Sequence, residues 1–371
     1  MSTKSVAPFE LFYDLIYAYA ISRITATLHL VDNGIISGLH LAEFLMMMLV
    51  FWTIWTYQTV YANRFYHHGL VDTLFLLFNL FIVIYLAQAI TPDFSATQTA
   101  FSLSTSTLFC STAVQYLLQR HEQNQSAVKR LCSALAGVLG IAAVIGYATL
   151  FLPSTWPYRL RFGIYAVSIL SAAFGPLLFS NRIKTVPPHF DLFTERYSEF
   201  ILLLFGEAII TVSTSIQELH ITPFNILYYL IIVLLFATYL CMQKLGIDHQ
   251  RKTGALVWIH SHYFIAVAIA LLPVLLLEFD QQQLAPFFTS FMVTLTLALF
   301  YFNLYWNMRA YRASGIDLSG KRLFYLFFSL MLWALFSWLS AQWPTVFLSG
   351  LMLYLLANLL YLWQFILHPG K

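Results

Sequence analysis

A dozen apolar stretches run through this chain, each about as long as a helix crossing a bilayer, which needs roughly 17–25 residues. They lie near residues 8–31, 39–61, 70–91, 97–119, 131–152 and 160–180, then near 192–216, 224–244, 257–279, 285–308, 323–341 and 345–367. Turn residues separate them, among them Asp32-Asn33-Gly34, Pro153-Ser154, Pro187-Pro188 and Thr222-Pro223. In hydrocarbon every backbone N–H and C=O must be satisfied within the protein, so runs of this length fold as helices. Only 9% of residues are charged and 60% are hydrophobic, where soluble domains carry roughly a quarter charged residues. The expected fold class is therefore all-α, a polytopic transmembrane helical bundle of about 12 spans.

The basic residues orient such a bundle. Of 19 Lys and Arg, 15 fall at the N-terminus, in the even-numbered loops or at the C-terminus, including Arg64, Lys129, Lys244, Arg309 and Lys321. Only Arg159 and Arg161 fall on the other side, and Arg23 and Arg196 lie within spans. The positive-inside rule then puts both termini in the cytoplasm. A cleavable signal needs an uninterrupted apolar stretch. The first stretch here carries Glu10, Asp14 and Arg23, so a retained first helix is expected.

Several function classes are disfavoured. No Lys/Arg cluster interleaved with aromatics points to nucleic acid, and the expected partner is the lipid bilayer. Cys110, Cys132 and Cys241 form no CxxC pair and read as small apolar residues. There is no P-loop, no GxGxxG after a strand and no GxSxG elbow, so no cofactor is implied. His260 and His262 open the ninth span, but on a helix their rings point about 200° apart, which does not suit one metal ion. No metal site is expected. His262 is retained as a secondary candidate for a proton relay.

The chain also matches itself. Glu10-Leu-Phe-Tyr-Asp14-Leu-Ile aligns with Glu195-Arg-Tyr-Ser-Glu199-Phe-Ile, 185 residues later, and the second and eighth spans start near 39 and 224. Six spans per half gives a parallel repeat, 1–186 and 187–371, an arrangement typical of transporters.

The repeated motif holds the main candidates. Glu10 and Asp14 are i, i+4 neighbours on one helix face, and Glu195 and Glu199 repeat that spacing, with Arg196 adjoining. Glu207 lies about two turns deeper in the same span. Ionisable groups inside a membrane helix are costly unless paired or hydrated. Glu10, Asp14, Glu195, Arg196, Glu199 and Glu207 are thus the proton- or cation-coupling candidates, set against a structural alternative in which Arg196 pairs with Glu10 or Glu195. Arg23 and Asn63 are secondary candidates, with a Glu207–Arg23 pair as one possibility. Trp52, Trp55, Tyr57 and Tyr61 read as packing and an aromatic belt.

At these residues the chain resembles the bacterial low temperature requirement protein A (LtrA) family. The family's opening E-L-F-F-D-L-V-F pattern is matched by Glu10-Leu-Phe-Tyr-Asp14-Leu-Ile-Tyr17, and its W-x-x-W and N-R-F stretch by Trp52, Trp55 and Asn63-Arg64-Phe65. Its E-R-F…G-E segment is matched by Glu195-Arg196-Tyr197 and Gly206-Glu207, and its later His by His262. The chain departs from the pattern at Tyr66, where the family often has Asp, and at Arg23, where it has a Gln-like residue. The resemblance implies a multi-pass bacterial inner-membrane protein linked to growth in the cold. With the intramembrane carboxylates, the expected function is a secondary transporter or permease for a small molecule or ion, and not an enzyme. The rival readings are a membrane enzyme acting on lipid or isoprenoid through His262 and a carboxylate, and a non-catalytic scaffold or sensor.

Overall fold

The computed structural model describes residues 8–65, 69–91, 93–216 and 221–367, with side chains from residue 12 onward. Glu10's side chain and Tyr66 therefore lie outside the described residues. The described chain is helical almost throughout: α1 (Pro8–Ala26), α2 (Gly38–Phe65), α3 (Leu70–Gln88), α4 (Phe94–Glu122), α5 (Ser126–Ala148), α6 (Tyr158–Phe174), a short α7 (Ser180–Thr185), α8 (Phe190–Thr214), α9 (Pro223–Cys241), α10 (Leu256–Asp280), α11 (Pro286–Tyr311), α12 (Gly320–Ser340) and α13 (Pro344–Tyr361). A helix stands at each of the twelve expected spans, and the fold is an all-α polytopic bundle.

Among the described residues, ten helices are long and apolar enough to cross a membrane. The expected first and fourth spans, α1 and α4, are helices that fall outside this set. Glu10, Asp14 and Arg23 make α1 polar, and Ser, Thr and Gln residues along α4 lower its hydropathy.

Local chemistry sets the helix starts. Thr222 and Asn225 form a reciprocal capping box at α9, Asp93 accepts from the Ala96 amide at α4, and Pro occupies the first turn of α9, α11 and α13. After α1 the chain makes a single 3₁₀ turn, Thr27–His29, and then a two-residue hairpin pairing Val31 with Ile36. Asn33 and Gly34 both take positive φ, 50° and 78°, the conformation that Asn-Gly hairpin turns require.

The helices pack as two units. The first holds the described residues up to Thr27, Leu39–Tyr197 and Lys252–Ile259; the second holds Leu28–Gly38, Ser198–Arg251 and the described residues from His260 onward.

In the first unit an aromatic cluster ties α2 to α4. Tyr61 and Phe65 meet Tyr116 with ring centroids 5.3 and 6.3 Å apart, and Phe51 meets Phe101 at 6.4 Å. Small residues let α4, α5 and α6 approach closely. A Cβ added at Gly146 would lie 2.2 Å from Ser106 Oγ and 3.1 Å from Ser168 Oγ. Gly146→Ala is therefore expected to destabilise by about 1–3 kcal/mol through overpacking. Ser106→Ala in the same chain removes the clashing oxygen and should recover most of the loss, read as the melting temperature in detergent.

In the second unit, Tyr228 of α9 donates to the Pro273 carbonyl of α10 at 2.7 Å. The Gly34 carbonyl accepts from the Ala285 amide at 2.7 Å, seating the hairpin on the turn before α11. Only 22% of the α12 apolar stretch is buried, and Phe324, Phe327, Leu332 and Leu335 are exposed. That face suits contact with acyl chains.

Candidate functional site

The first unit buries an ion pair in its interior. Asp14 is 2% exposed and Arg196 7%. The guanidinium meets the carboxylate as a fork, with Nη1 2.7 Å from Oδ2 and Nη2 donating to Oδ1 at 2.9 Å. Trp55 Nε1–H donates to the same Oδ1 at 2.8 Å. Asp14 Oδ1 thus accepts N–H groups from two other helices while Oδ2 faces the second guanidinium nitrogen, and the planar fork is the geometry Arg offers a carboxylate and Lys does not.

Aromatic rings enclose the pair. Tyr197 lies 4.8 Å from Trp55 and 5.5 Å from Trp52, measured between ring centroids, and its hydroxyl is 3.2 Å from Thr56 Oγ1. Beside Asp14, the Tyr13 and Tyr17 hydroxyls share a 2.7 Å hydrogen bond. Removing water strengthens the attraction between the two charges, and it equally raises the cost of leaving either one alone.

Asn63 and Arg64, at the end of α2, position the start of α8. Asn63 donates to the His189 carbonyl at 3.1 Å and accepts from the His189 amide at 2.8 Å, and Arg64 Nε donates to the Val186 carbonyl at 3.0 Å. Asn63 is a positioning residue: it holds the turn from which Arg196 is delivered. Asn63→Ala is expected to cost about 1–3 kcal/mol, the loss of two hydrogen bonds to backbone groups. Asn63→Asp, which keeps the acceptor, should lose less in the same detergent melts.

This site lies within the span of a single family signature. The model of the bacterial low temperature requirement A protein (LtrA) family matches residues 5–357. The chain belongs to the LtrA family. Neither the curated proteins nor the solved structures hold a match to it.

The other candidates of this LtrA-family chain sit in different surroundings. Glu195 is exposed, while Glu199 and Glu207 are half-buried in the second unit. Thr211 Oγ1 donates to the Glu207 backbone carbonyl at 3.1 Å. Arg23 donates to the Ile90 carbonyl at 2.8 Å, which places its charge at the C-terminal end of α3, where the helix dipole favours a cation.

His262 is fully buried in the second unit, its Nε2 3.3 Å from the Tyr239 hydroxyl. Tyr239 also hydrogen-bonds Ser198, so a string of hydroxyl, phenol and imidazole runs from α8 through α9 to α10. Next to it, Ser261 Oγ donates to Asn307 Oδ1 at 2.9 Å.

Sequence reasoning passed over two buried acids. Glu43, 6% exposed, accepts from Tyr158 in the first unit, and Glu278, 4% exposed, pairs with His29 in the second. Both stand in apolar runs, Ala42-Glu43-Phe44 and Leu277-Glu278-Phe279. The rule that picked out Glu207, a carboxylate among apolar neighbours inside a span, would have found them. Trp55 reads from the sequence as packing, and its N–H donation to Asp14 carries no sequence signal.

Proposed function

We propose that this LtrA-family protein is a secondary transporter, not an enzyme, in which buried carboxylates couple solute movement to protons or a cation. In this reading both termini face the cytoplasm, the membrane is the bacterial inner membrane, and residues 1–186 and 187–371 are parallel repeats. The observation that carries it is the Asp14–Arg196–Trp55 cluster: a net-neutral pair of charges kept inside helices that face lipid elsewhere.

Such a pair has two states. With Asp14 ionised, the fork is satisfied and α1, α2 and α8 are tied together. A proton on Asp14 cancels the charge and leaves the Arg196 guanidinium without its counter-ion in an apolar site, so the packing that the fork held is released. A packed element with two discrete arrangements is what proton coupling requires. Glu199 and Glu207 in α8, and His262 with Tyr239, are further proton-handling groups in this reading.

The test uses the purified protein in liposomes with a trapped pH dye, alongside growth of cells in the cold. Asp14→Asn, Glu199→Gln and Glu207→Gln are each checked for folding by their melts. Loss of proton flux in well-folded Asp14→Asn supports coupling at the pair. If all three variants fold, pass protons and support growth like the parent, the coupling reading is wrong.

A further inference from the structure

The first unit carries a second polar feature, away from the ion pair, along the contact of α2, α3 and α4. Its outer level is a hydrogen-bonded group: the Tyr61 hydroxyl lies 2.9 Å from Asp72 Oδ1 and 3.3 Å from Gln119 Oε1. The ring contacts Phe51–Phe101 at one end and Tyr61–Tyr116 at the other show that α2 and α4 run in the same direction. One helical turn further in, the pair Tyr61/Gln119 therefore becomes Gln58/Gln115. On α3, which runs the opposite way, Asn79 shares a face with Asp72 two turns on, about 10 Å deeper at 1.5 Å per residue.

These inner amides are buried, Gln58 at 4%, Gln115 at 1% and Asn79 at 1% exposure. The oxygen and nitrogen of both Gln58 and Gln115, the Asn79 Oδ1 and the Gln119 Nε2 find no hydrogen-bond partner among the described residues. An apolar pair at such positions would pack at no polar cost, so six unmatched amide atoms in one seam mark a site kept for a guest. The three inner side chains, Gln58, Gln115 and Asn79, are uncharged amides. Carboxamides present a donor and an acceptor side by side, which complements a small neutral molecule with the same paired groups and offers an ion no counter-charge.

We propose that Gln58, Gln115 and Asn79 bind a small uncharged solute of the amide or urea type, admitted past Tyr61 and Asp72 when α2 and α4 part. The movement of that solute across the membrane rests on the transporter reading; its binding does not.

The experiment is therefore done in detergent without a gradient. Cysteines 110, 132 and 241 are replaced, and Gln58→Cys, Gln115→Cys and, as a control in the same helix, Leu108→Cys are labelled with a small water-soluble methanethiosulfonate. Leu108 is an apolar residue of α4 and is fully buried. Both glutamine positions should label roughly tenfold faster than the control, because the seam opens to water. Acetamide and urea should slow that labelling, and potassium chloride should not.

Labelling no faster than Leu108→Cys overturns the proposal, as does labelling that acetamide and urea leave unchanged. Hydroxyl-radical footprinting of the unsubstituted protein, read at Tyr61 and Tyr116 with and without acetamide, repeats the test where a cysteine variant fails to fold. Absence of acetamide protection there likewise overturns it. Proton flux through Asp14→Asn is measured separately, so a failure of coupling and a failure of solute binding are told apart.

Discussion

Arg196→Ala is expected to lower the stability of the protein by about 3–5 kcal/mol, the cost of stranding one member of a buried ion pair. The substitution takes the guanidinium away from an Asp14 carboxylate that is 2% exposed, and the Trp55 N–H does not replace its charge. Asp14→Ala should cost a similar amount, since it strands the guanidinium instead. The double variant Asp14→Leu/Arg196→Met removes both charges and fills the space with side chains of similar volume. Replacing a buried pair in this way is often neutral or stabilising, so the double variant should recover most of what either single change loses. Denaturant titration in a fixed detergent, run on the parent, the two single variants and the double variant, compares them directly. The function of the pair is then separable from its structural role. A double variant that folds but passes no protons places coupling at Asp14 and Arg196, whereas one that folds and still couples reduces the pair to a cross-brace.

The helices were legible because each one is a run of apolar residues of spanning length, and that signal does not depend on how the helices pack. The hairpin after α1 was legible only as a turn. Asn33-Gly34 announces the positive φ pair, but strands of two residues carry no periodicity of their own. Pairing was harder. Spacing offered Glu10 or Glu195 as the partner of Arg196, and the structure pairs it with Asp14. The rotation of α8 decides this. Phe193, Tyr197, Phe200, Ile201 and Leu204 form its buried stripe. Arg196 borders that stripe, while Glu195, about 100° behind Arg196 on the helix, is exposed. The stripe is readable from the apolar and aromatic positions, so Glu195's exposure could have been foreseen. That Asp14 would be the acid reached by Arg196 could not, because it depends on where α1 and α8 cross. The amide seam of α2 and α4 was hidden for the same reason. Gln58 and Gln115 are 57 positions apart, and only the parallel register of their helices brings them level. What the sequence did carry was the low hydropathy of α4, which is the price of its buried Ser, Thr and Gln residues.

Trp55 offers a sharper measurement, because its ring and its N–H can be removed one at a time. Trp55→Ala removes a fully buried indole that packs on Trp52 and Tyr197 and is expected to cost about 3–5 kcal/mol. Trp55→Phe keeps an aromatic ring in that space and deletes the donor to Asp14. A hydrogen bond to a charged group contributes about 1.5–3 kcal/mol, so Trp55→Phe should lose about that much together with a smaller packing term. The hydrogen-bond part is isolated by repeating Trp55→Phe in an Asp14→Asn background, where the charge that the indole serves is already gone. Residues in direct contact couple by about 0.5–3 kcal/mol in such cycles. A coupling near the upper half of that range means that the indole N–H is part of what keeps the Asp14 carboxylate ionised inside the first unit. Additivity within about 0.5 kcal/mol would mean that the indole contributes shape alone. In that case the Arg196 fork, not the indole, holds the charge, and proton coupling at Asp14 would hinge on whether that fork opens.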